Sequence, residues 1–117
     1  MKVQIYHNPR CSKSRNTLAI LEENGVKPEV VEYLKEPPTK SELKAILSML
    51  SIAPRDLMRK GESEYKELGL ADKSLTDEQL IDAMLHTPKL IERPIVVVDN
   101  KKAVIGRPPE KVLSIIQ

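Results

Sequence analysis

The single cysteine, Cys11, is the residue of this chain best suited to chemistry. It lies where a short apolar stretch gives way to a helical pattern, with three cations close to it in the sequence: Arg10, Lys13 and Arg15. A helix start and nearby cations both favour the thiolate, which is the reactive form of cysteine. The sequence therefore predicts a nucleophilic Cys11; the alternative is a small buried core residue.

The spacing that follows Cys11 excludes two known types of cysteine site. A Cys-x5-Arg phosphatase loop would need arginine where the chain has Thr17, and a Cys-x-x-Cys dithiol would need cysteine where it has Ser14. What remains is a Cys-x-x-Ser monothiol. Such a site can form a covalent adduct or a mixed disulfide, but the thiol that resolves it must come from another molecule. With one cysteine, neither an internal disulfide nor a cysteine-rich zinc site can form.

Three arginines are candidates for binding an anion at the same site. Arg59 follows an apolar pair, Arg93 immediately precedes an apolar strand pattern, and Arg107 follows the next strand pattern. Their planar guanidinium groups suit tetrahedral oxyanions, and the alternative is that each is a solvated surface cation. His7 either hydrogen-bonds within a loop or orients the thiolate. Pro94 could be a strand-initiating proline, but in a thioredoxin-like fold it is better interpreted as a cis-proline that faces the thiol.

The hydrophobic pattern predicts the elements that must position these residues. A first strand ends at His7-Asn8-Pro9, and the helix after it ends at Asn24-Gly25. β-branched and aromatic residues predict a second strand over Val30–Leu34, which completes a β-α-β unit with parallel strands. Later in the chain, Pro94–Val98 and Ala103–Ile105 predict an antiparallel pair, followed by a last helix.

A block of helices separates the two halves of this pattern. Two of its helices begin at capping boxes, Thr39 with Glu42 and Thr76 with Gln79. The order βαβ, helices, ββα predicts an α/β fold with a thioredoxin-like mixed sheet. We expect a single domain over residues 1–117, with a helical insertion at about 38–90.

Composition narrows the classes of partner. Among 117 residues, 19 are Lys or Arg and 17 are Asp or Glu, and Phe and Trp are absent. Near-neutral charge and few aromatic rings argue against nucleic acid, and no stretch approaches the roughly 20 apolar residues of a membrane span. The N-terminus leads into a strand pattern without a signal peptide, and a lone thiol is typical of a reducing compartment, so we expect a cytoplasmic protein. We also expect a monomer without a metal site or bound cofactor, because no motif indicates otherwise.

Several of these segments together resemble one known family, the glutaredoxin-coupled arsenate reductases. The resemblance is carried by Tyr6-His7-Asn8-Pro9, Cys11, Ser14–Leu18, Arg59, Arg93–Val97 and Arg107-Pro108, and it covers essentially the whole chain. It implies that Cys11 is the nucleophile and that three arginines bind the oxyanion: Arg59, Arg93 and Arg107. It also implies that His7 tunes the thiolate, while Ser14 and Arg15 support it from the helix start.

The resemblance further implies arsenate as substrate, glutathione as co-substrate and glutaredoxin as protein partner. The pair Ser12-Lys13 differs from the Gly-Thr that follows the cysteine in characterised members, which leaves the preferred substrate open. Two alternatives keep the same residues. One is a monothiol thiol–disulfide oxidoreductase that handles glutathione, and the other is a redox-responsive adaptor that binds proteins and has no arsenate activity.

Overall fold

The computed structural model describes all 117 residues, Met1–Gln117. Its four strands are β1 Val3–Tyr6, β2 Glu29–Val31, β3 Ile95–Val98 and β4 Lys102–Ile105. Its five α-helices are α1 Ser12–Glu23, α2 Lys40–Leu50, α3 Ser63–Glu67, α4 Asp77–His86 and α5 Leu113–Ile116, with 3-10 turns at Pro54–Leu57, Pro88–Leu90 and Pro109–Val112. The chain divides into two compact units, unit 1 of Met1–Glu36 with Arg93–Gln117 and unit 2 of Pro37–Glu92.

Unit 1 is built on one mixed sheet with the strand order β2-β1-β3-β4. β1 pairs parallel with β2 and antiparallel with β3, and β3 pairs antiparallel with β4. Ile5 lies opposite Val96, which in turn lies opposite Val104. The parallel β1–β2 pair needs the crossover that α1 supplies. The predicted α/β class with a βαβ…ββα mixed sheet is confirmed.

The core of unit 1 lies where the sheet packs against its helices. All four residues of β3 are buried, as predicted from its continuous apolar run. The residues at the centre of this core come from both central strands, α1 and the last 3-10 turn: Val3, Ile5, Leu21, Val96, Val98 and Val112. Because β1 is held between two other strands and under this core, its carboxyl end is a fixed support for the loop that follows.

The second strand is shorter than its sequence pattern predicts. Pairing in β2 stops at Val31, and the strand predicted as far as Leu34 is wrong over its second half. The amides of Lys35 and Glu36 donate to the carbonyl of Glu32 and close a turn there. Tyr33 is nevertheless buried. Tyr33 is therefore buried within a turn, and its burial does not require the edge strand β2 to continue past Val31.

Unit 2 contains α2, α3 and α4. Both predicted capping boxes are present, with each threonine side chain accepting from the N3 amide and each N3 side chain accepting from the threonine amide. Lys40 of α2 lies 2.7 Å from Glu78 and 3.0 Å from Asp82 of α4, so that charge pairs join these two helices. No helix in the protein is both long enough and apolar enough to cross a membrane.

Candidate active site

The loop between β1 and α1 places Cys11 at the start of the helix. Cys11 is the N-cap residue, with extended backbone angles (φ −92°, ψ 123°), and its side chain makes no capping hydrogen bond. The first amides of a helix have no intrahelical acceptor and attract negative charge. Only 8% of Cys11 is exposed, which is less open than the sequence suggests for a reactive thiol. The sulfur is thus held close to the positive end of α1.

Arg107 is the cation that the structure brings to the sulfur. Its Nη2 lies 3.8 Å from Cys11 Sγ, and its Nε donates to the carbonyl oxygen of Arg93 at 2.8 Å. The carbonyl fixes the plane of the guanidinium, so that one edge is held by the backbone while another faces the thiol. A fixed positive charge at this distance attracts a thiolate or an oxyanion bound beside it. Arg93 and Arg107 are both half-buried, so neither side chain is fully exposed to solvent.

The segments that carry these two arginines are joined through Pro94 and Gly106. The Arg93–Pro94 peptide bond is cis, as predicted, and the Arg107–Pro108 bond is also cis, which the sequence analysis missed. The amide of Gly106 donates to the carbonyl of Pro94 at 2.9 Å. A Cβ at Gly106 would lie 2.8 Å from Pro94 Cγ and would collide with Thr17 Oγ1 of α1. Glycine is therefore needed for the close approach that carries Arg107 onto Cys11.

A second cluster, formed by His7 and Ser14, supports the loop between β1 and α1 through hydrogen bonds. Ser14 is fully buried in the first turn of α1, and its hydroxyl lies 2.5 Å from His7 Nδ1. The same oxygen accepts the amide of Asn8 at 3.0 Å. The hydroxyl proton of a buried serine needs an acceptor, and His7 Nδ1 can provide it when the ring is neutral. His7 is itself anchored, because its amide donates to Val31 at 2.8 Å.

Burial favours the neutral form of His7. It lowers the pKa of His7 below the usual value of 6.5, since a charged ring would lose its hydration. The carboxylate of Glu32 opposes this effect and the guanidinium of Arg15 adds to it. A neutral His7 matches the hydrogen bond with Ser14, so the ring contributes order to the loop that leads to Cys11.

The other two predicted arginines are placed differently. Arg15 is exposed, and its Nη1 donates to the carbonyl of Pro9 at 2.9 Å, so that it closes the loop before Cys11 from the outside. Arg59 belongs to unit 2, where it is bound by carboxylates: its Nη1 lies 2.6 Å from Glu62, and its Nε lies 3.6 Å from Glu92. The structure therefore gathers Cys11, Arg107 and the Arg93 carbonyl, and it pairs Arg59 with acids.

Two residues at this site were not found from the sequence. The sequence analysis gave no role at the site to Gly106, and it considered Thr17 only as a position that lacks arginine and as part of the matching segment Ser14–Leu18. Thr17 is fully buried, and its hydroxyl donates to the carbonyl of Lys13 at 2.8 Å. A polar residue on the buried face of α1 and a glycine directly before Arg107 were the available signals, but their contact joins distant parts of the chain. No group of three or more His, Cys, Asp and Glu side chains is arranged to hold a metal ion.

Fold and site together define a thioredoxin-like protein with one candidate nucleophilic cysteine. A family model, the ArsC family, matches residues 6–115. Among its relatives, an uncharacterized protein of Escherichia coli K12, YfgD, is 60% identical over 98% of this chain and 97% of its own length. An arsenate reductase of Neisseria meningitidis serogroup A is 47% identical over 98% of both chains. A solved structure of an arsenate reductase from Vibrio cholerae has a TM-score of 0.95 at 52% identity, covering 99% of this chain and 98% of the other. The chain belongs to the ArsC family.

Proposed function

We propose that the protein reduces arsenate to arsenite, with Cys11 as the nucleophile, glutathione as co-substrate and a glutaredoxin as the partner that regenerates the thiol. One observation carries this proposal: Arg107 Nη2 lies 3.8 Å from the only sulfur nucleophile, at the start of α1. A cation and helix amides beside a thiol are suited to bind an oxyanion and to stabilise its transition state. Membership of a family whose named relatives include arsenate reductases supports arsenate as that oxyanion.

Three arginines bind the substrate in this proposal. Arg107 follows the end of β4 and Arg93 precedes the start of β3, and the resemblance assigns both of them and Arg59 to the oxyanion. Guanidinium groups bind tetrahedral oxyanions through paired N–H donors and neutralise charge that develops during attack. Pro94 keeps the Arg93 carbonyl in place, and that carbonyl orients Arg107. In this proposal the bound arsenate lies beside Arg107 and the Cys11 sulfur.

The reaction requires two thiols and needs no metal or bound cofactor. The Cys11 thiolate attacks arsenic, and one oxygen leaves as water to give a sulfur–arsenic(V) adduct. The glutathione thiol then bonds to the Cys11 sulfur, and the electron pair of the sulfur–arsenic bond passes to arsenic as arsenite leaves. Two thiols are oxidised to one disulfide while As(V) becomes As(III). A glutaredoxin thiolate next takes the glutathione by thiol–disulfide exchange and restores Cys11.

The residues near the loop act as supports in this scheme. Ser14 and His7 hold the backbone ahead of Cys11, and Arg15 binds the carbonyl of Pro9 and adds positive charge close to the thiolate. A reaction that consumes glutathione belongs to a reducing compartment, so we place the protein in the cytoplasm. We expect it to act there as a monomer and as a single domain over residues 1–117.

The test is arsenite formation by the purified protein with arsenate, glutathione and glutaredoxin. We expect turnover in the parent protein and none above background in Cys11→Ser, which keeps the size of the side chain but lacks a sulfur nucleophile. Omission of either glutathione or glutaredoxin should also stop turnover. If the parent protein makes no arsenite but exchanges glutathione with other disulfides through Cys11, the monothiol oxidoreductase is the correct function and the arsenate proposal fails.

A further inference from the structure

Arg59 is bound to carboxylates on two sides within unit 2. Its Nη1 contacts Glu62 Oε1 at 2.6 Å, which is a charge-assisted hydrogen bond, and its Nε lies 3.6 Å from Glu92 Oε1. The side chains of both partners in the Arg59–Glu62 pair are largely protected from water, with 27% and 23% of their surfaces exposed. Solvent therefore screens this pair less than it screens an open surface pair.

The Arg59–Glu62 pair has further charged neighbours. Lys89 is the second cation of the cluster, and its Nζ lies 2.8 Å from Glu64 and 3.9 Å from Glu62. A negatively charged ligand that approaches Arg59 meets a guanidinium whose charge is already compensated.

The contacts also restrict how Arg59 can grip an anion. A guanidinium offers two forks, Nη1 with Nη2 and Nε with Nη2, to a bidentate oxyanion. Glu62 holds the Nη1 of the first fork at hydrogen-bond distance, whereas Glu92 lies beyond hydrogen-bond distance from the Nε of the second. Glu62 is therefore the stronger of the two competitors for Arg59.

We infer that Glu62 is an internal carboxylate ligand of Arg59 that an incoming oxyanion must displace, so that it sets the affinity for that substrate. The inference rests on the proposed function for the role of Arg59 and for arsenate as the oxyanion. Lys89 is close enough to Glu62 to receive the displaced carboxylate, which keeps its charge paired after the exchange. Anions that bind Arg59 more weakly than Glu62 does are thereby excluded from it.

The test replaces one carboxylate at a time by its amide. Glu62→Gln removes the competing charge and keeps the shape of the side chain, and Glu64→Gln is the matched control because Glu64 pairs with Lys89 and not with Arg59. We expect the KM for arsenate to fall about fivefold in Glu62→Gln, the ratio for removing one partly exposed ion pair, with kcat near that of the parent. Glu64→Gln should keep the parent KM.

A second measurement separates this inference from the proposed function. The Nε–H NMR signal of Arg59, assigned with an Arg59→Lys variant, is followed during titration with arsenate in the absence of glutathione. Its midpoint should fall about fivefold in Glu62→Gln and stay unchanged in Glu64→Gln. An equal or higher midpoint in Glu62→Gln, or no response of Arg59 in any protein, overturns the inference. If no protein forms arsenite but the midpoint still shifts, the inference stands and the proposed function fails.

Discussion

Replacement of Ser14 by alanine should destabilise the protein through two hydrogen-bonding partners at once. Its fully buried hydroxyl accepts the Asn8 amide at 3.0 Å and shares a 2.5 Å hydrogen bond with His7 Nδ1. A buried polar group left without a partner costs about 1–3 kcal/mol. Asn8 is half-buried and its amide can bind water instead, so its cost lies at the low end of this range. His7 is only 6% exposed, so its cost lies nearer the high end. The sum is about 2–4 kcal/mol in the free energy of unfolding.

Urea unfolding measures this loss directly. With an m-value of about 2 kcal/mol/M, the midpoint of Ser14→Ala should lie about 1–2 M below that of the parent. Ser12→Ala is the matched control, because Ser12 is exposed in the same turn of α1, and its free energy of unfolding should change by less than about 0.5 kcal/mol. Equal midpoints in the two variants would refute the reasoning that Ser14 holds the loop ahead of Cys11.

Two further predictions concern the supports of the site. Because burial lowers the pKa of His7 below 6.5, the unfolded chain binds a proton more readily, and stability should be level above that pH and fall as the pH drops further. His7→Gln should remove this dependence between about pH 7.5 and 5.5, whereas the exposed His86→Gln should retain it; the same slope in both would contradict the prediction. Gly106→Ala should lower the free energy of unfolding by about 1–3 kcal/mol through overpacking, and also reduce arsenate turnover, since the added Cβ would push Arg107 away from α1. Gly61→Ala, whose Cβ would meet nothing within 4 Å, is its control, and equal stability of the two variants would show that the close approach is not required.

Local patterns in the sequence were sufficient to predict the four strands, the parallel β1–β2 pair and the antiparallel β3–β4 pair. The continuous apolar run of β3 indicates a strand buried on both faces, and all four of its residues are buried. The same composition misled over Val30–Leu34, where only the first part pairs. Strand propensity describes a side chain that fits a half-buried surface, and Tyr33 meets that description in a turn. A residue pattern cannot distinguish a paired strand from a buried turn, because the difference is whether the backbone has hydrogen-bonding partners in β1.

The site was predictable where its residues are close in the sequence. Cys11 at the head of α1 follows from the change of hydrophobic period, and the cis bond before Pro94 was expected from the fold class. The contact between Thr17 and Gly106 was not predictable, since it depends on how closely β4 approaches α1. Residues 89 positions apart carry no local signal of such contact. The roles of the three arginines in binding a substrate remain predictions.

Residue type alone predicts the same role for the three arginines, whereas the fold gives Arg59 and Arg107 different partners. Arg107 is oriented by the backbone carbonyl of Arg93. This carbonyl reaches Arg107 because the Arg93–Pro94 segment lies beside the end of β4. Arg59 has acids as partners, and one of them, Glu62, follows it by three residues, so that this pair was visible in the sequence. An acid three residues after a candidate anion-binding arginine competes for the same donors, and it should be weighed before that arginine is assigned to a substrate. The affinity of Arg59 for a substrate oxyanion then depends on the difference between two negatively charged ligands, the oxyanion and Glu62.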